Sequence, residues 1–140
     1  MPALNYPIGA LHDVMRATAA RFPDRPAITF KDSVITFAEF DRDSNQLANG
    51  FAALGVTAGD RIALYLPNCP PYELAFYAAS KLGAIACPMN PSYREREITY
   101  HVNDSGAKVM SFFRCRSTSF ACSSIRLRSR SIASRTPLKS

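Results

Sequence analysis

Two hydrophobic patterns alternate between residues 60 and 110. Short apolar runs of strand length occupy residues 61–66, 84–89 and 107–110. The segments between them have the three-and-four spacing of amphipathic helices, and the first places four apolar side chains on one face: Leu74, Ala75, Ala78 and Leu82. Strand, helix, strand, helix, strand is typical of two successive right-handed crossovers in a parallel sheet. The predicted fold class is therefore α/β, a partial doubly wound parallel sheet.

The first of these helices has recognisable boundaries. Asn68 is a suitable capping residue, and Pro70 and Pro71 suit a first turn, whose amide donors have no partner within the helix. Gly83 follows the last apolar position and is predicted to end the helix.

The second helix is predicted to begin at a capping box formed by Ser92 and Glu95. Tyr93, Arg94 and Glu95 lie near the carboxyl end of a predicted strand, where open parallel sheets bind ligands. We nevertheless interpret Ser92 and Glu95 as capping groups, because the box accounts for both side chains.

The segment before residue 60 predicts a helix over residues 8–22 and a hairpin formed by residues 27–30 and 34–36. A capping box at Thr36 and Glu39 then begins a longer helix with an apolar stripe: Phe37, Phe40, Leu47, Phe51 and Leu54. Gly55 is placed to end that helix. Residues 41–46 are polar, and we expect them to form its solvated face rather than an acid/base pair.

Charge divides the chain in two. The net charge of +6 combines residues 1–110, with 10 Lys and Arg against 11 Asp and Glu, and residues 111–140, with seven against none. Hydrophobic periodicity also stops at residue 111, where serine and arginine begin to alternate. The predicted domains are therefore residues 1–110, a truncated α/β domain, and residues 111–140, a disordered basic tail.

The tail has two interpretations. The first is a basic arm that binds nucleic acid or an acidic partner, with Phe112, Phe113 and Phe120 available for stacking. The second, which we favour, is the product of reading a coding region out of frame. The change is abrupt, falls inside a predicted strand, and is not preceded by a linker.

The remaining composition gives no sign of a metal site, an export signal or a membrane span. The four cysteines and two histidines lack the spacing of zinc ligands, and the cysteines are expected to be reduced thiols. The amino terminus has no basic cluster before an apolar core, and no apolar run approaches the roughly 20 residues of a membrane helix. We expect a cytoplasmic protein.

Six short motifs between residues 11 and 110 together resemble the amino-terminal part of the AMP-forming acyl-CoA synthetases. That superfamily also contains the adenylation domains of peptide synthetases and the luciferases. The motifs are ITFAE at 35–39, LGVTAGDRI at 54–62, LPN at 66–68, KLGA at 81–84, PMNP at 88–91 and NDSGAK at 103–108.

The resemblance implies a two-step reaction. A carboxylate attacks the α-phosphate of ATP to give an acyl-adenylate and pyrophosphate, and coenzyme A then displaces AMP to give a thioester. The full-length enzymes use ATP, Mg²⁺, coenzyme A and a small carboxylic acid. Their phosphate-binding loop and catalytic lysine lie downstream of the matching region, and the six glycines of this chain stand singly. We therefore assign no catalytic, cofactor-binding or metal-binding residue, expect the chain alone to be inactive and to bind no cofactor, and predict no nucleic-acid partner.

The branch within the superfamily is indicated by two details. Asn90 stands where peptide-synthetase adenylation domains usually have Asp, and residues 94–98, followed by Asn103 and Asp104, resemble fatty-acid ligases. The resemblance favours a medium- or long-chain fatty acid as substrate, with a peptide-synthetase adenylation domain as the alternative within the same fold.

Overall fold

The computed structural model describes residues 9–113 and 125–129, and the rest of the basic segment lies outside this range. The chain begins with helix α1 (Leu11–Arg21), the hairpin strands β1 (Pro26–Phe30) and β2 (Ser33–Thr36), and helix α2 (Phe37–Ala53). Then follow β3 (Arg61–Tyr65), α3 (Pro70–Lys81), β4 (Ile85–Pro88), α4 (Glu95–Ser105), β5 (Val109–Phe113) and β6 (Ile125–Ser129).

The larger sheet has the strand order β4-β3-β5-β6, and the first three strands run parallel. This arrangement confirms the predicted fold class, because α3 connects the parallel neighbours β3 and β4, and α4 crosses over β3 to connect β4 with the parallel strand β5. β6 was not predicted; it lies within residues 111–140 and pairs antiparallel with β5, with Val109 opposite Ser129. The predicted hairpin is also confirmed, and β1 and β2 form a separate two-stranded sheet.

The two faces of the sheet have different cores, because side chains alternate along each strand. Ile62, Leu64 and Val109 point into the larger core, which they share with α2 and α3. Ala63 belongs to a smaller core on the opposite face, packed against α4. The molecule is thus layered as α2 and α3, sheet, and α4.

Helix α2 follows the predicted capping box closely. The Thr36 amide donates to the Glu39 carboxylate at 2.9 Å, and the Glu39 amide donates to the Thr36 hydroxyl at 3.3 Å. Phe40 and Phe51 are fully buried, and Gly55 follows the helix with φ +82°. Helix α1 is confirmed as an element, but it begins at Leu11 rather than at residue 8.

The expectation that residues 41–46 form a solvated face holds for Arg42, Asn45 and Gln46, which are exposed, but it was wrong for Ser44 and Asp41. Ser44 is fully buried, because it lies one helical turn from the core residues Phe40 and Ala48. Asp41 is also engaged, since the Lys81 ammonium of α3 donates to its carboxylate at 2.6 Å. This face therefore joins α2 to α3.

The predicted capping residues of α3 and α4 were also wrong, each by a short shift. The N-cap of α3 is Cys69, which is extended (φ −155°, ψ 162°) and makes no side-chain cap bond. The residue before a proline disfavours helical backbone angles, and Cys69 precedes Pro70. Cys69 therefore stays extended, the helix starts at Pro70, and Asn68 lies outside it.

At α4 the Asn90 side chain accepts from the Ser92 amide at 2.9 Å and forms a turn of its own. Consequently the N-cap moves from Ser92 to Arg94, whose amide donates to the Glu97 carboxylate at 3.0 Å. Glu97 therefore performs the capping function that was predicted for Glu95.

Gly83 is confirmed as the stop after α3. Its φ is +65°, a conformation that residues with a Cβ rarely adopt, and an added Cβ would lie 3.3 Å from the Ala58 Cβ. Because Gly83 lies so close to Ala58, its carbonyl accepts a hydrogen bond from the Gly59 amide at 2.9 Å. This bond aligns the start of β3 with the start of β4.

Candidate functional site

The carboxyl ends of β3 and β4 meet at one edge of the sheet, where open parallel sheets bind ligands. We define the carboxyl edge as the segments that follow these strands, residues 66–69 and 89–94. The first leads into α3 and the second into α4. Sequence patterns placed Tyr93, Arg94 and Glu95 here, and the structure confirms that they lie at the start of α4.

Tyr65, the last residue of β3, fixes the second segment. Its hydroxyl lies 2.9 Å from the Pro91 carbonyl oxygen and 2.8 Å from the Tyr93 carbonyl oxygen. A phenol has one proton to donate, so the two carbonyls share it. Sequence reasoning missed this contact, since nothing local distinguishes Tyr65 from the other apolar residues of the strand.

Polar side chains within the carboxyl edge and in the first turn of α4 also bind the backbone. The Asn90 amide oxygen and the Glu97 carboxylate accept from main-chain amides, as described above. The arrangement therefore holds the loop in place. Within the described residues, it does not bring a nucleophile and a general base together.

A cavity of about 430 Å³ opens beside this loop, on the outer side of α4. The rings of Tyr93 and His101 line it with centroids 6.3 Å apart, and Tyr100 is 72% exposed. His101 Nδ1 is buried and has no hydrogen-bond partner among the residues that the structure describes. The face is aromatic, and its wall is completed by Arg96 and Glu97, which are exposed.

The opposite end of the sheet carries an ion pair between Asp60 and Lys108. Asp60 Oδ2 accepts from Lys108 Nζ at 2.8 Å and from the amide and hydroxyl of Thr57 at 2.7 and 2.8 Å. Lys108 first, then the two Thr57 donors, lower the pKa of Asp60 to about 2. This cluster joins the start of β5 to the turn before β3. Its contacts connect two parts of the fold, so we assign it a structural role.

The thiols and acids do not converge in the described part of the chain. Cys69 and Cys87 are unpaired, whereas Cys115 and Cys122 lie outside the described residues. Burial raises the pKa of the Cys69 thiol, which disfavours a reactive thiolate. Residues 9–113 and 125–129 contain no group of three His, Cys, Asp or Glu side chains able to hold a metal ion. They also contain no helix long and apolar enough to cross a membrane.

The comparisons with known proteins agree on one family. The family described as AMP-binding enzyme matches residues 15–135. A long-chain-fatty-acid–CoA ligase of Bacillus subtilis is 36% identical over 107 residues, which are 76% of this chain and 19% of that protein. The 4-coumarate–CoA ligase 1 of Solanum tuberosum is 34% identical over 102 residues, which are 71% and 19% of the two chains.

Among solved structures, the N-terminal domain of FACL13 from Mycobacterium tuberculosis superposes with a TM-score of 0.70 and 33% identity. The match covers 74% of this chain and 27% of that one. The chain thus spans about a fifth of the length of the ligases it matches and about a quarter of the FACL13 domain. On these matches the chain belongs to the AMP-binding enzyme family, and corresponds to the amino-terminal part of its acyl-CoA synthetases.

Proposed function

We propose that residues 1–110 form the amino-terminal part of an ATP-dependent, AMP-forming acid–CoA ligase whose substrate is a medium- or long-chain fatty acid. The observation that carries this proposal is the family match, together with the structural similarity of this chain to part of the FACL13 N-terminal domain. In this role the chain supplies scaffold: the sheet, its α2 and α3 layer, and the loop fixed by Tyr65.

The substrate class is supported by the names of similar proteins. The relatives from Bacillus subtilis and Escherichia coli are both called long-chain-fatty-acid–CoA ligase. The Solanum tuberosum relative, named for 4-coumarate, has comparable identity, so an aromatic acid is the competing substrate class.

We propose further that the chain alone does not catalyse the reaction. ATP and Mg²⁺ require a glycine-rich or Ser/Thr-rich phosphate loop and carboxylates that offset phosphate charge. The described residues do not fit these groups, because their glycines stand singly and their acids pair with nearby main-chain or basic groups or remain dispersed. We therefore assign them no step of the chemistry.

A chimera separates the scaffold from the chemistry. Residues 1–110 would replace the matching segment of the Bacillus subtilis ligase, and ATP–pyrophosphate exchange would be measured with decanoate, palmitate and 4-coumarate. We expect exchange with the fatty acids by the chimera and none by the isolated 140-residue chain. Turnover by the isolated chain above a mock preparation would overturn the proposed inactivity. A folded but inactive chimera would overturn the scaffold role.

We also propose that residues 111–140 are foreign to the fold and arise from a shift of reading frame after Met110. Sequencing the coding DNA and translating the other two frames tests this directly. A shifted frame that continues as a ligase supports it, and a confirmed sequence without such a continuation contradicts it. Two observations count against the frame-shift proposal. The family match extends to residue 135, and β6 pairs with β5.

The seven basic residues and absent acids of that segment support a second candidate function, a basic arm that binds nucleic acid. Binding to duplex DNA that weakens steeply with salt and disappears on deletion of residues 111–140 would favour it. For the ligase itself we propose a cytoplasmic location, in agreement with the reduced cysteines that the sequence predicts.

A further inference from the structure

A second cavity, of about 300 Å³, lies in the α2 and α3 layer, on the other side of the sheet from α4. It is enclosed by the hairpin strand β2, the first half of α2 and the first turn of α3. Its volume is at the lower end of the range in which proteins bind small molecules. None of the residues of the carboxyl edge lines it.

The floor of this cavity is apolar. It consists of Pro70, Pro71 and Leu74, which are buried, and Leu74 is 3% exposed. Prolines have no amide proton, so the first turn of α3 offers the cavity an apolar surface where other helices present hydrogen-bond donors. Val34 forms one wall and is 54% exposed, which leaves an apolar side chain available to a ligand.

The opposite wall is charged and comes from α2. It contains Glu39, Arg42 and Asp43, and the Arg42 Nε donates to the Asp43 carboxylate at 2.9 Å. Backbone and side-chain hydrogen bonds from Thr36 lower the pKa of Glu39, so its carboxylate is ionised at neutral pH. Two carboxylates against one guanidinium give this wall a net charge of −1.

We propose that the cavity binds a small amphipathic amine. The apolar body of the ligand would lie on Pro70, Pro71 and Leu74, and its ammonium group would face Glu39 and Asp43. The charge of the wall disfavours anions, so this site is not suited to the carboxylates and phosphates that the proposed ligase reaction uses. The inference concerns a separate ligand of the scaffold and goes beyond the proposed function.

The test uses the full chain, ¹⁵N-labelled and methyl-labelled, with 2-phenylethylamine as the probe and 2-phenylethanol as its uncharged match. We expect saturable 1:1 shifts, nuclear Overhauser contacts from the probe ring to the methyl groups of Val34 and Leu74, and affinity for the alcohol weaker by about threefold or more. Absence of saturation, contacts elsewhere, or equal affinity for the alcohol would each overturn the proposal.

Three variants sharpen the result. Val34→Trp fills the cavity and should weaken binding by at least about tenfold. Val14→Trp, at a similarly exposed position (51%) on α1, should leave affinity within about twofold. Asp43→Asn preserves shape, removes one negative charge and should weaken binding by about threefold. Equal effects of the two tryptophan variants contradict the site, and if Val34→Trp fails to fold by circular dichroism, the Asp43→Asn result and the methyl contacts decide.

Discussion

The hydroxyl of Tyr65 at the end of β3 lies 2.8 Å from the main-chain carbonyl of Tyr93, 28 positions later in the chain. The first residue belongs to the central strand of the parallel part of the sheet, and the second lies just before α4. One side chain therefore ties the loop after β4 to the middle of the sheet, at the edge where this fold class binds ligands.

Removing that hydroxyl should loosen the loop while preserving the strand. For Tyr65→Phe we expect a loss of about 1 kcal/mol in the free energy of unfolding, because the carbonyls lose a donor while the ring still packs. Amide exchange at residues 90–94 should accelerate. Tyr100→Phe is the control, since Tyr100 is 72% exposed and its hydroxyl donates neither of the two hydrogen bonds that hold the loop. Unchanged exchange in Tyr65→Phe would show that the loop is held by other contacts.

The capping box of α2 gives a second measurable quantity. Thr36→Ala removes the acceptor of the Glu39 amide and should lower the free energy of unfolding by about 1 kcal/mol. Thr18→Ala is the matched control, because the Thr18 hydroxyl donates to the Val14 carbonyl inside α1 and alanine favours a helix interior. We expect that variant to remain within about 0.5 kcal/mol of the parent in urea denaturation. Similar losses in both variants would indicate that the cap contributes nothing specific.

Two serines that are equally buried should respond in opposite directions to alanine. Ser44 and Ser111 are both 0% exposed, but the Ser44 hydroxyl donates to the Asp41 carbonyl at 3.0 Å. The Ser111 hydroxyl has no partner among the described residues. Ser44→Ala should destabilise the chain by about 1 kcal/mol, whereas Ser111→Ala should stabilise it by a similar amount.

The Ser111 result also bears on the proposed change of reading frame. Ser111 is the first residue of the basic segment, and it occupies a core position of β5 opposite Leu64. A hydroxyl without a partner at that position is what an unselected residue would leave in a buried strand. Destabilisation by Ser111→Ala would mean that this serine is adapted to its site.

The sequence was sufficient for the elements before residue 111 and for the parallel direction of β3, β4 and β5, since hydrophobic period and turn residues are local signals. The order of these strands in the sheet was not predicted. It was sufficient for the Thr36 box, where the cap and its partner are three residues apart. It failed at Asn68 and Ser92, because in each case a neighbouring residue competed for the same turn: Cys69 before Pro70, and the Asn90 side chain. β6 could not be predicted, since its pairing with β5 is a tertiary event without a local periodic signal.

The long-range contacts were also beyond sequence reasoning. Tyr65 with Tyr93, and Lys81 with Asp41, join positions 28 and 40 residues apart. Any of several tyrosines or lysines could have formed such a bond, and only the packed fold selects one.

The Asp60 cluster predicts a specific acid sensitivity. The native pKa of Asp60 lies at about 2, below its ordinary value of 3.8, so its stabilising effect is complete above that ordinary value. It is lost as the pH falls from about 3.8 towards 2, because the carboxylate must then be protonated in the folded state. The Asp60→Asn variant should therefore be less stable than the parent near neutral pH, and the difference should shrink across this acid range.

Urea midpoints measured at a series of pH values, for the parent and for Asp60→Asn, provide the check. Lys108→Met should produce the same flattening, since Lys108 is the largest contributor to the lowered pKa. Asp32→Asn, in the exposed turn of the hairpin, should keep the slope of the parent. A slope between pH 3.8 and 2 that is identical in the parent and in Asp60→Asn would show that this carboxylate is not held by Lys108 and Thr57 in solution.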